Sequence, residues 1–423
     1  MGRIIPSVKG TVDFYPEEMS RRIWLYDTIR SVAEKYGYQE YEAPILETLE
    51  LYAAKSGEEL VKKQSFVFED RGGKQVAMRP ELTPSLARMV AQRQNQLTYP
   101  LRWWSFGPFW RYERPQKGRT REFFQWNIDL IGVESAEVDA EIATAGAELL
   151  EAVGLLPTDA QILVNNRQLM EQELGKIGLD DEYLLPVTRL IDRRDKLPPE
   201  KWTEQALEAG LTAGQLDELK GLLADSEMWT RNDDLKRFFD ATDALGKNDY
   251  MTFEPHIVRG LDYYTGTVME SRDTARKFRA IFGGGRYDSL VSDVGGSALP
   301  ACGFAMGDKV IMALLEHLGK LPEPRELRGD TVLVSVFGPD TLGASLKLAA
   351  ELREAGFRVA SYPEAAKLGK QFKYADKIGA AAALVLGPDE IASTQVAVKD
   401  LRSGQQTTVD RGNLGNFLKT LIS

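Results

Sequence analysis

The stretch PFWRYERPQKGRTREFFQWNIDLIG, residues 108–132, constrains this chain more than any other. It holds two runs whose side chains alternate with the two-residue period of a strand. In the first run Phe109, Arg111 and Glu113 share one face, and Trp110 and Tyr112 take the other. In the second, Phe123, Gln125, Asn127 and Asp129 share one face, while Phe124, Trp126, Ile128 and Leu130 take the other. The pattern predicts a strand pair with one apolar face for a core and one face carrying Arg111, Glu113, Gln125 and Asp129 between aromatics. Two uses fit that second face: a solvated outer surface, or a floor that recognises a polar small molecule. Exposed faces usually carry Lys, Thr and Glu, so the amide, carboxylate and aromatic groups speak for recognition. The connection RPQKGRTRE adds Arg114, Lys117, Arg119 and Arg121, a cationic loop suited to polyphosphate or a nucleic-acid end.

With 423 residues the chain exceeds one core, and two or three domains are expected. Hydrophobic residues make up 43% and charged residues 27%, which excludes bulk disorder. No run approaches the ~20 apolar residues of a membrane span. The start of the chain lacks the apolar core of an export signal. Cys302 is the only cysteine, so intrachain disulfides are excluded and a cytoplasmic location is expected. His256 and His317 are the only histidines, which leaves little material for a Ser-His-Asp triad or a two-His metal site, and both read as structural. The net charge of −10 rules out nucleic-acid binding through bulk charge, so such binding needs local basic patches.

Four regions follow one another. Residues 1–165 carry a helix over 20–36, a strand broken at Pro44 within 40–52, a helix after Thr83-Pro84, the strand pair, and an amphipathic helix over 134–152. Residues 166–250 are helical, charged and poor in strand signals, and read as an inserted module. Residues 251–320 regain strand character at 255–270 and 279–283, with helices at 286–293 and 307–318. A linker, LGKLPEPREL, precedes residues 329–423, where strand and helix alternate and predict a small α/β domain with a mostly parallel sheet ending in a hairpin.

Two further peptides stand out. IVRGLDYYTG, 257–266, crowds a cation, an anion and two phenols at the mouth of a strand. GGGRYD, 283–288, reads as a tight turn that lets backbone approach a ligand. Glu81 and Thr83 could cap the helix that follows them. No GxxxxGK[ST] loop occurs, which disfavours a P-loop ATPase.

Together these motifs resemble those of the histidyl-tRNA synthetases, a branch of the class II aminoacyl-tRNA synthetases. FGPFWRYERPQKGRTREFFQ is similar to the family's motif 2, and VRGLDYYTGTVME and GGGRYD to its two histidine signature peptides. KGTVDFYPEE, MRPELTPSLARMV, NNRQL, KLGKQFKYADKIGA and VAVKDLRSGQQ fit the same family, so the likeness runs over nearly the whole chain. It implies an α+β fold: a six-stranded antiparallel catalytic sheet flanked by helices, a helical insertion and a C-terminal α/β anticodon-binding domain. A homodimer built around motif 1, near Pro44, is also implied. So is a two-step reaction: histidine's carboxylate attacks the α-phosphate of ATP, and the acyl group then passes to histidine tRNA, with Mg2+ accompanying the ATP.

The resemblance also distributes roles. Arg111 and Arg259 match the two arginines that meet the α-phosphate from opposite sides. Phe123 would stack on adenine, Glu113 would read its amino group, and Arg119 and Arg121 would meet the phosphates. Glu81, Thr83 and Gln125, with Leu82 between the first two, match the place that holds the substrate's α-amino group. Asp129 and Tyr264 match the groups that bond the imidazole nitrogens, with Tyr263 beside them; relatives often have Glu at the place of Asp129. Asp262 has the least explained place, and orienting Arg259 is the expectation for it. Motif 3 departs from the pattern. Its glycine is Gly307, but Lys309 and Val310 stand where Glu-Arg is usual, so Lys309 or an arginine of the 114–121 loop is expected to replace the missing cation. A non-charging paralogue, the regulatory subunit of ATP phosphoribosyltransferase, is the alternative within the family.

In residues 325–423, 13 Lys and Arg face 11 Asp and Glu, a net of +2, which leaves −12 for the remainder. Lys367, Lys370, Lys373 and Lys377 fall at helical spacing. They form either a solvated face or a stripe that follows tRNA phosphates.

Overall fold

The structure is a computed structural model that describes residues 4–53, 64–114, 120–180, 183–194, 197–258, 264–327 and 331–422. It divides into two compact units, the larger holding most of residues 22–321 and the smaller most of residues 322–423.

A large mixed sheet organises the first unit. Its strands are β1 (Gln39–Glu40), β5 (Leu101–Trp110), β6 (Glu122–Ile131), β7 (Ala160–Asn166), β8 (Met251–Phe253), β9 (Thr267–Asp273), β10 (Phe282–Tyr287) and β11 (Ala301–Gly307). Their order is β1-β5-β6-β11-β10-β9-β7-β8. The six central strands pair antiparallel throughout. At each edge a short strand pairs parallel, β1 on β5 and β8 on β7. The six-stranded antiparallel sheet is thus present, extended by two edge strands too short to leave a periodic signal. A second sheet joins β2 (Leu46–Thr48), β3 (Phe66–Glu69) and β4 (Gln75–Met78) in the order β2-β4-β3.

The apolar face of the long strands makes the core, as the alternation predicts. Trp104, Trp126, Ile128, Leu130, Phe304 and Met306 join one cluster with Ile142, Leu149 and Leu150 of the helix Ala136–Ala152. Fully burying each such side chain contributes roughly 1.5–3 kcal/mol. Ser135 caps that helix by accepting from Val138 N at 3.3 Å, and Glu137 and Asp139 meet the positive end of its dipole. Between β7 and β8 the chain makes helices Arg167–Lys176, Leu184–Asp192, Pro199–Glu208, Ala213–Leu223 and Asp233–Ala244. Thr212 and Gln215 close a capping box, and Trp202 Nε1 donates to Leu190 O at 2.8 Å, tying two of these helices.

Four local expectations change. The segment 40–52 is not one strand: β1 ends before Pro44, and after β2 the helix formers of Leu49–Ala53 take over, burying Leu51 and Tyr52. The described residues of this range, 255–258 and 264–266, are not strand, and Ile257 N and Val258 N instead close turns on Glu254 O and His256 O. Glycines 283–285 form no turn but the middle of β10. A Cβ on Gly284 would lie 2.0 Å from Gly303 O and 2.5 Å from Phe304 Cα, so glycine is what lets β10 and β11 meet. The same strand claims Arg286 and Tyr287, opposite Cys302 and Ala301, and leaves the helix only Leu290–Asp293.

The second unit holds β12 (Thr331–Val334), β13 (Arg358–Ser361), β14 (Ala382–Val385), β15 (Gln395–Asp400) and β16 (Gln406–Asp410) in the order β13-β12-β14-β15-β16. Its sheet is half parallel rather than mostly so: β12 pairs parallel with β13 and β14, and the β15–β16 hairpin joins antiparallel. The connection 386–394 is shorter than the dozen or so residues a parallel crossover needs, so the chain returns antiparallel. Val332, Val334, Leu348, Leu384, Val398 and Leu418 make its core.

Candidate active site

The pairing registers assemble the face opposite the main core. Trp103, Asp129, Gly303, Gly285, Val268 and Asn165 form one row across six strands. The next row runs Ser105, Asn127, Ala305, Gly283, Glu270 and Leu163, and a third places Gln125 between Gly107 and Gly307. Five of these positions are glycine and one is alanine. The centre of the sheet therefore carries almost no side-chain bulk on this side, and polar groups ring a low floor.

Asp129 sits in that floor, 5% exposed. Its Oδ1 accepts the Tyr287 hydroxyl at 2.5 Å. Burial pushes the Asp129 carboxyl up to about 7, against the opposing pull of the Tyr287 hydrogen bond. A Cβ on Gly303 would lie 2.1 Å from Asp129 Oδ1, so the facing glycine makes room for this carboxylate. Two strands away a Cβ on Gly285 would lie 3.0 Å from Tyr264 Cδ1. The Tyr264 ring is buried beside Leu163, Ile257 and Val268, over the same row as Asp129. The structure thus places Asp129 and Tyr264 on either side of a glycine gap. Tyr287 was not singled out from the sequence, although it belongs to the GGGRYD peptide. Its signal was a phenol one residue beyond a strand-borne Gly-Gly-Gly-Arg.

The strand pair presents the other candidates. Phe123 stacks on Phe109 with centroids 5.9 Å apart, and the Arg111 guanidinium lies 5.4 Å from the Phe123 centroid. Arg111 Nε donates to Pro80 O at 2.9 Å, which fixes its stem against the MRPEL segment. That segment also carries Arg79, wholly buried and unmarked by the sequence reading. Arg79 donates to Pro108 O at 2.9 Å and Ala43 O at 2.8 Å, pairs with Glu42, and packs on the Phe109 ring. It bolts three segments together beneath the Arg111–Phe123 pair. Glu81 and Thr83 are half-buried and Leu82 is buried among Ala43, Phe109 and Phe123. The helix begins at Thr83 with Leu82 at its N-cap, a side chain that can accept no hydrogen bond. Capping therefore does not account for the polar residues here.

Glu113 is half-buried, and its carbonyl accepts from Arg121 Nε at 3.2 Å. The Arg121 guanidinium lies 4.0 Å from the Tyr112 centroid and reaches Lys9 O at 3.4 Å. Gly10, at φ +89°, lets that strap lie close, since a Cβ there would meet Arg121 Cγ at 2.7 Å. Lys117, Arg119, Arg259, Gly260, Asp262 and Tyr263 lie outside the described residues. At motif 3, Val310 packs on the main core, while Lys309 Nζ lies 3.4 Å from Asp308 Oδ2 and 4.9 Å from the Phe14 centroid. Asp308 in turn accepts from Phe124 N at 3.1 Å. Arg286, in GGGRYD, is spent inside the protein: it pairs with buried Asp139 at 2.6 Å and donates to Ser135 O at 2.9 Å.

In the second unit Lys367, Lys370, Lys373 and Lys377 are exposed and line one open cavity of about 580 Å³ with Tyr362 and Tyr374. The two rings meet edge to face at 5.6 Å. Gln371 and Ala375 bury the opposite side of the helix Leu368–Lys377. The four lysines therefore share one surface.

Family models and known proteins match this chain along almost its whole length. A family model described as histidyl-tRNA synthetase matches residues 10–311, and one described as an anticodon binding domain matches residues 331–421. The histidine–tRNA ligase of Haloarcula marismortui is 38% identical over 95% of both chains. The chloroplastic/mitochondrial histidine–tRNA ligase of Arabidopsis thaliana is 37% identical over 96% of this chain and 85% of its own. The crystal structure of histidyl-tRNA synthetase from Nostoc sp. PCC 7120 superposes with a TM-score of 0.87, at 26% identity, over 99% of this chain and all of that one. Motifs, sheet and both matched segments thus converge, and the chain belongs to the histidyl-tRNA synthetase family.

Proposed function

We propose that this chain is a histidine–tRNA ligase that activates L-histidine with ATP and transfers it to the 3′ end of histidine tRNA. The carrying observation is the glycine gap flanked by Asp129 and Tyr264. A carboxylate and a phenol there suit the two nitrogens of an imidazole, and a site built to bond both rejects isosteres that lack either. A histidine carboxylate oxygen attacks the α-phosphorus, the bond to the bridging oxygen breaks, and pyrophosphate leaves. A terminal ribose hydroxyl of the tRNA then attacks the acyl carbon, and AMP leaves. No protein base is needed in the first step, since the attacking carboxylate is already ionised.

In this reading Arg111 and Arg259 hold the negative charge that develops at the α-phosphate. Phe123 stacks on adenine, Glu113 bonds its amino group, and Arg119 and Arg121 approach the outer phosphates. Glu81, Thr83 and Gln125, with Leu82 packed beneath, hold the α-amino group, while Asp129, Tyr264 and Tyr263 enclose the ring. Val310 brings no charge, so Lys309 or an arginine of the 114–121 loop supplies the motif 3 cation. Mg2+ enters as the MgATP substrate. Lys367, Lys370, Lys373 and Lys377 follow tRNA phosphates. Residues 1–165 and 251–320 form the catalytic domain, 166–250 its insertion and 329–423 the anticodon-binding domain. The small sheet exposes Leu46, Val67 and Phe68 beside Ile45, apolar surface suited to a homodimer interface near motif 1. The enzyme works in the cytoplasm. The anticodon-domain match speaks against a purely histidine-sensing regulatory subunit.

The test is charging of bulk tRNA with each of several amino acids, beside amino-acid-dependent exchange of pyrophosphate into ATP. Charging with histidine alone is expected; histidine binding without exchange would instead favour the sensing role.

A further inference from the structure

The ladder that carries β9 stops short of Tyr264. Its first paired residues are Thr267, opposite Asn166, and Val268, opposite Gly285. Those pairs do not place a ring further upstream, yet a hydrogen bond from its hydroxyl needs atoms held to about half an ångström. The next residue, Thr265, supplies the hold. Its N donates to Arg286 O at 2.9 Å, and its O accepts from Gln168 Nε2 at 3.1 Å. Its hydroxyl donates to the Asp288 carboxylate. Asp288 is held in turn, with Oδ1 3.5 Å from Arg286 Nη1. Arg286 donates to Asp139 Oδ1 at 2.6 Å and Oδ2 at 3.2 Å, a buried two-point bond that fixes direction as well as charge. Contacts thus run from the helix Ala136–Ala152 through Arg286, Asp288 and Thr265 to the neighbour of Tyr264. The roles given above to the GGGRYD peptide fall to its glycines, Arg286 and Tyr287, and leave Asp288 without one.

We propose that Asp288 is a positioning residue for histidine recognition: by holding the Thr265 hydroxyl it sets the backbone from which the Tyr264 phenol meets the substrate ring. The inference rests on the histidine reading above. A threonine hydroxyl has one proton to give, and an ionised carboxylate is its strong acceptor. The other acceptor within reach, Arg286 O, lies 3.4 Å from that hydroxyl and already takes the Thr265 N–H. Without Asp288 the hydroxyl turns to that carbonyl or to water, and residue 265 rests on backbone bonds alone. The Tyr264 ring cannot correct the slack by itself. Leu163, Ile257 and Val268 pack beside it, but apolar contact is non-directional and does not fix its depth. Beneath it lies Gly285, where a Cβ would stand 3.0 Å from Tyr264 Cδ1. The gap that admits a ligand therefore also leaves the ring without a brace on that side, and the hold has to come along the chain.

The test measures pyrophosphate exchange by wild type, Asp288→Ala, Thr265→Val and Thr265→Ser, with KM for histidine and for ATP determined separately. It then repeats Asp288→Ala in a Tyr264→Phe background. The expected result is a KM for histidine raised about tenfold in Asp288→Ala and in Thr265→Val, the worth of one hydrogen bond, with KM for ATP unchanged. Thr265→Ser keeps the hydroxyl and should recover most of that loss. In the Tyr264→Phe background no phenol remains to be positioned, so Asp288→Ala should add no more than about twofold. A merely structural Asp288 would raise both KM values together, or add its full factor in that background, and either outcome overturns the proposal. So does an unchanged KM for histidine in Asp288→Ala. Thermal melting establishes that the variants fold; if Asp288→Ala does not, the near-isosteric Thr265→Val carries the same expectations, alone and with Tyr264→Phe. Should wild type exchange no pyrophosphate with histidine, the functional reading itself fails, and the proposal with it.

Discussion

On one side of the large sheet Trp104, Trp126 and Ile128 are wholly buried against helices. On the other, one residue away along the same strands, stand Asn127, Asp129 and a band of glycines. The first side is filled and uniform in chemistry. The second is kept low and lined with groups whose burial disfavours folding: a carboxyl pushed up to about 7 and an amide nitrogen without a partner among the described residues. The contrast separates two duties that one strand performs at alternate residues. The filled side supplies stability, and part of that stability offsets the strain of a pre-formed polar site on the other.

Substitutions can break that contrast from either side. The largest effect is expected at the filled face, where Trp126→Ala should cost about 3–5 kcal/mol in denaturant unfolding. If it lowered activity without lowering stability, the division would be wrong. Next comes Arg111→Ala on the open face. It should lower kcat/KM for pyrophosphate exchange by roughly 10²–10³, the typical loss of one electrostatic donor, while the melting temperature shifts little.

Asp129→Asn sharpens the contrast, because the two properties should move in opposite directions. Burial raises the folded-state pKa of Asp129 to about 7, whereas an unfolded aspartate titrates near ~3.9. The folded chain therefore retains a proton that the unfolded chain gives up. That contribution to stability is complete below about pH 4 and is lost as pH rises through about 7. Asp129→Asn should thus melt higher than wild type at pH 8, melt close to it at pH 4, and bind histidine more weakly at pH 8, where wild type carries the carboxylate. Thermal unfolding with and without histidine at the two values decides it. The smallest effect on chemistry is expected far from the sheet. Replacing Lys367, Lys370, Lys373 and Lys377 with glutamate should weaken tRNA binding, about tenfold or more at low salt, and leave pyrophosphate exchange unchanged.

The faces of β5 and β6 were legible because a period of two survives in one dimension. So were the amphipathic helix Ala136–Ala152, the helical run after Asn166 and the lysine stripe. What escaped depends on partners distant in sequence. Nothing local marks Arg79 as wholly buried, since its acceptors lie at Glu42, Ala43 and Pro108. Three glycines in a row suggest a turn until Gly303 is known to cross beside Gly284. Tyr287 gains its meaning from Asp129, and the strand pairing that joins them runs through β11. The two parallel edge strands, of two and three residues, are fixed by neighbours rather than by their own composition.

The glycine floor also bears on how this protein can change over generations. Side chains of Gly107, Gly283, Gly285, Gly303 and Gly307 are already as small as the genetic code allows. Every mutation at these positions adds volume, so drift along the floor can only shrink the range of ligands admitted. A descendant that accepts a bulkier amino acid must be reached through the walls, by trimming groups such as Tyr264 or Tyr287.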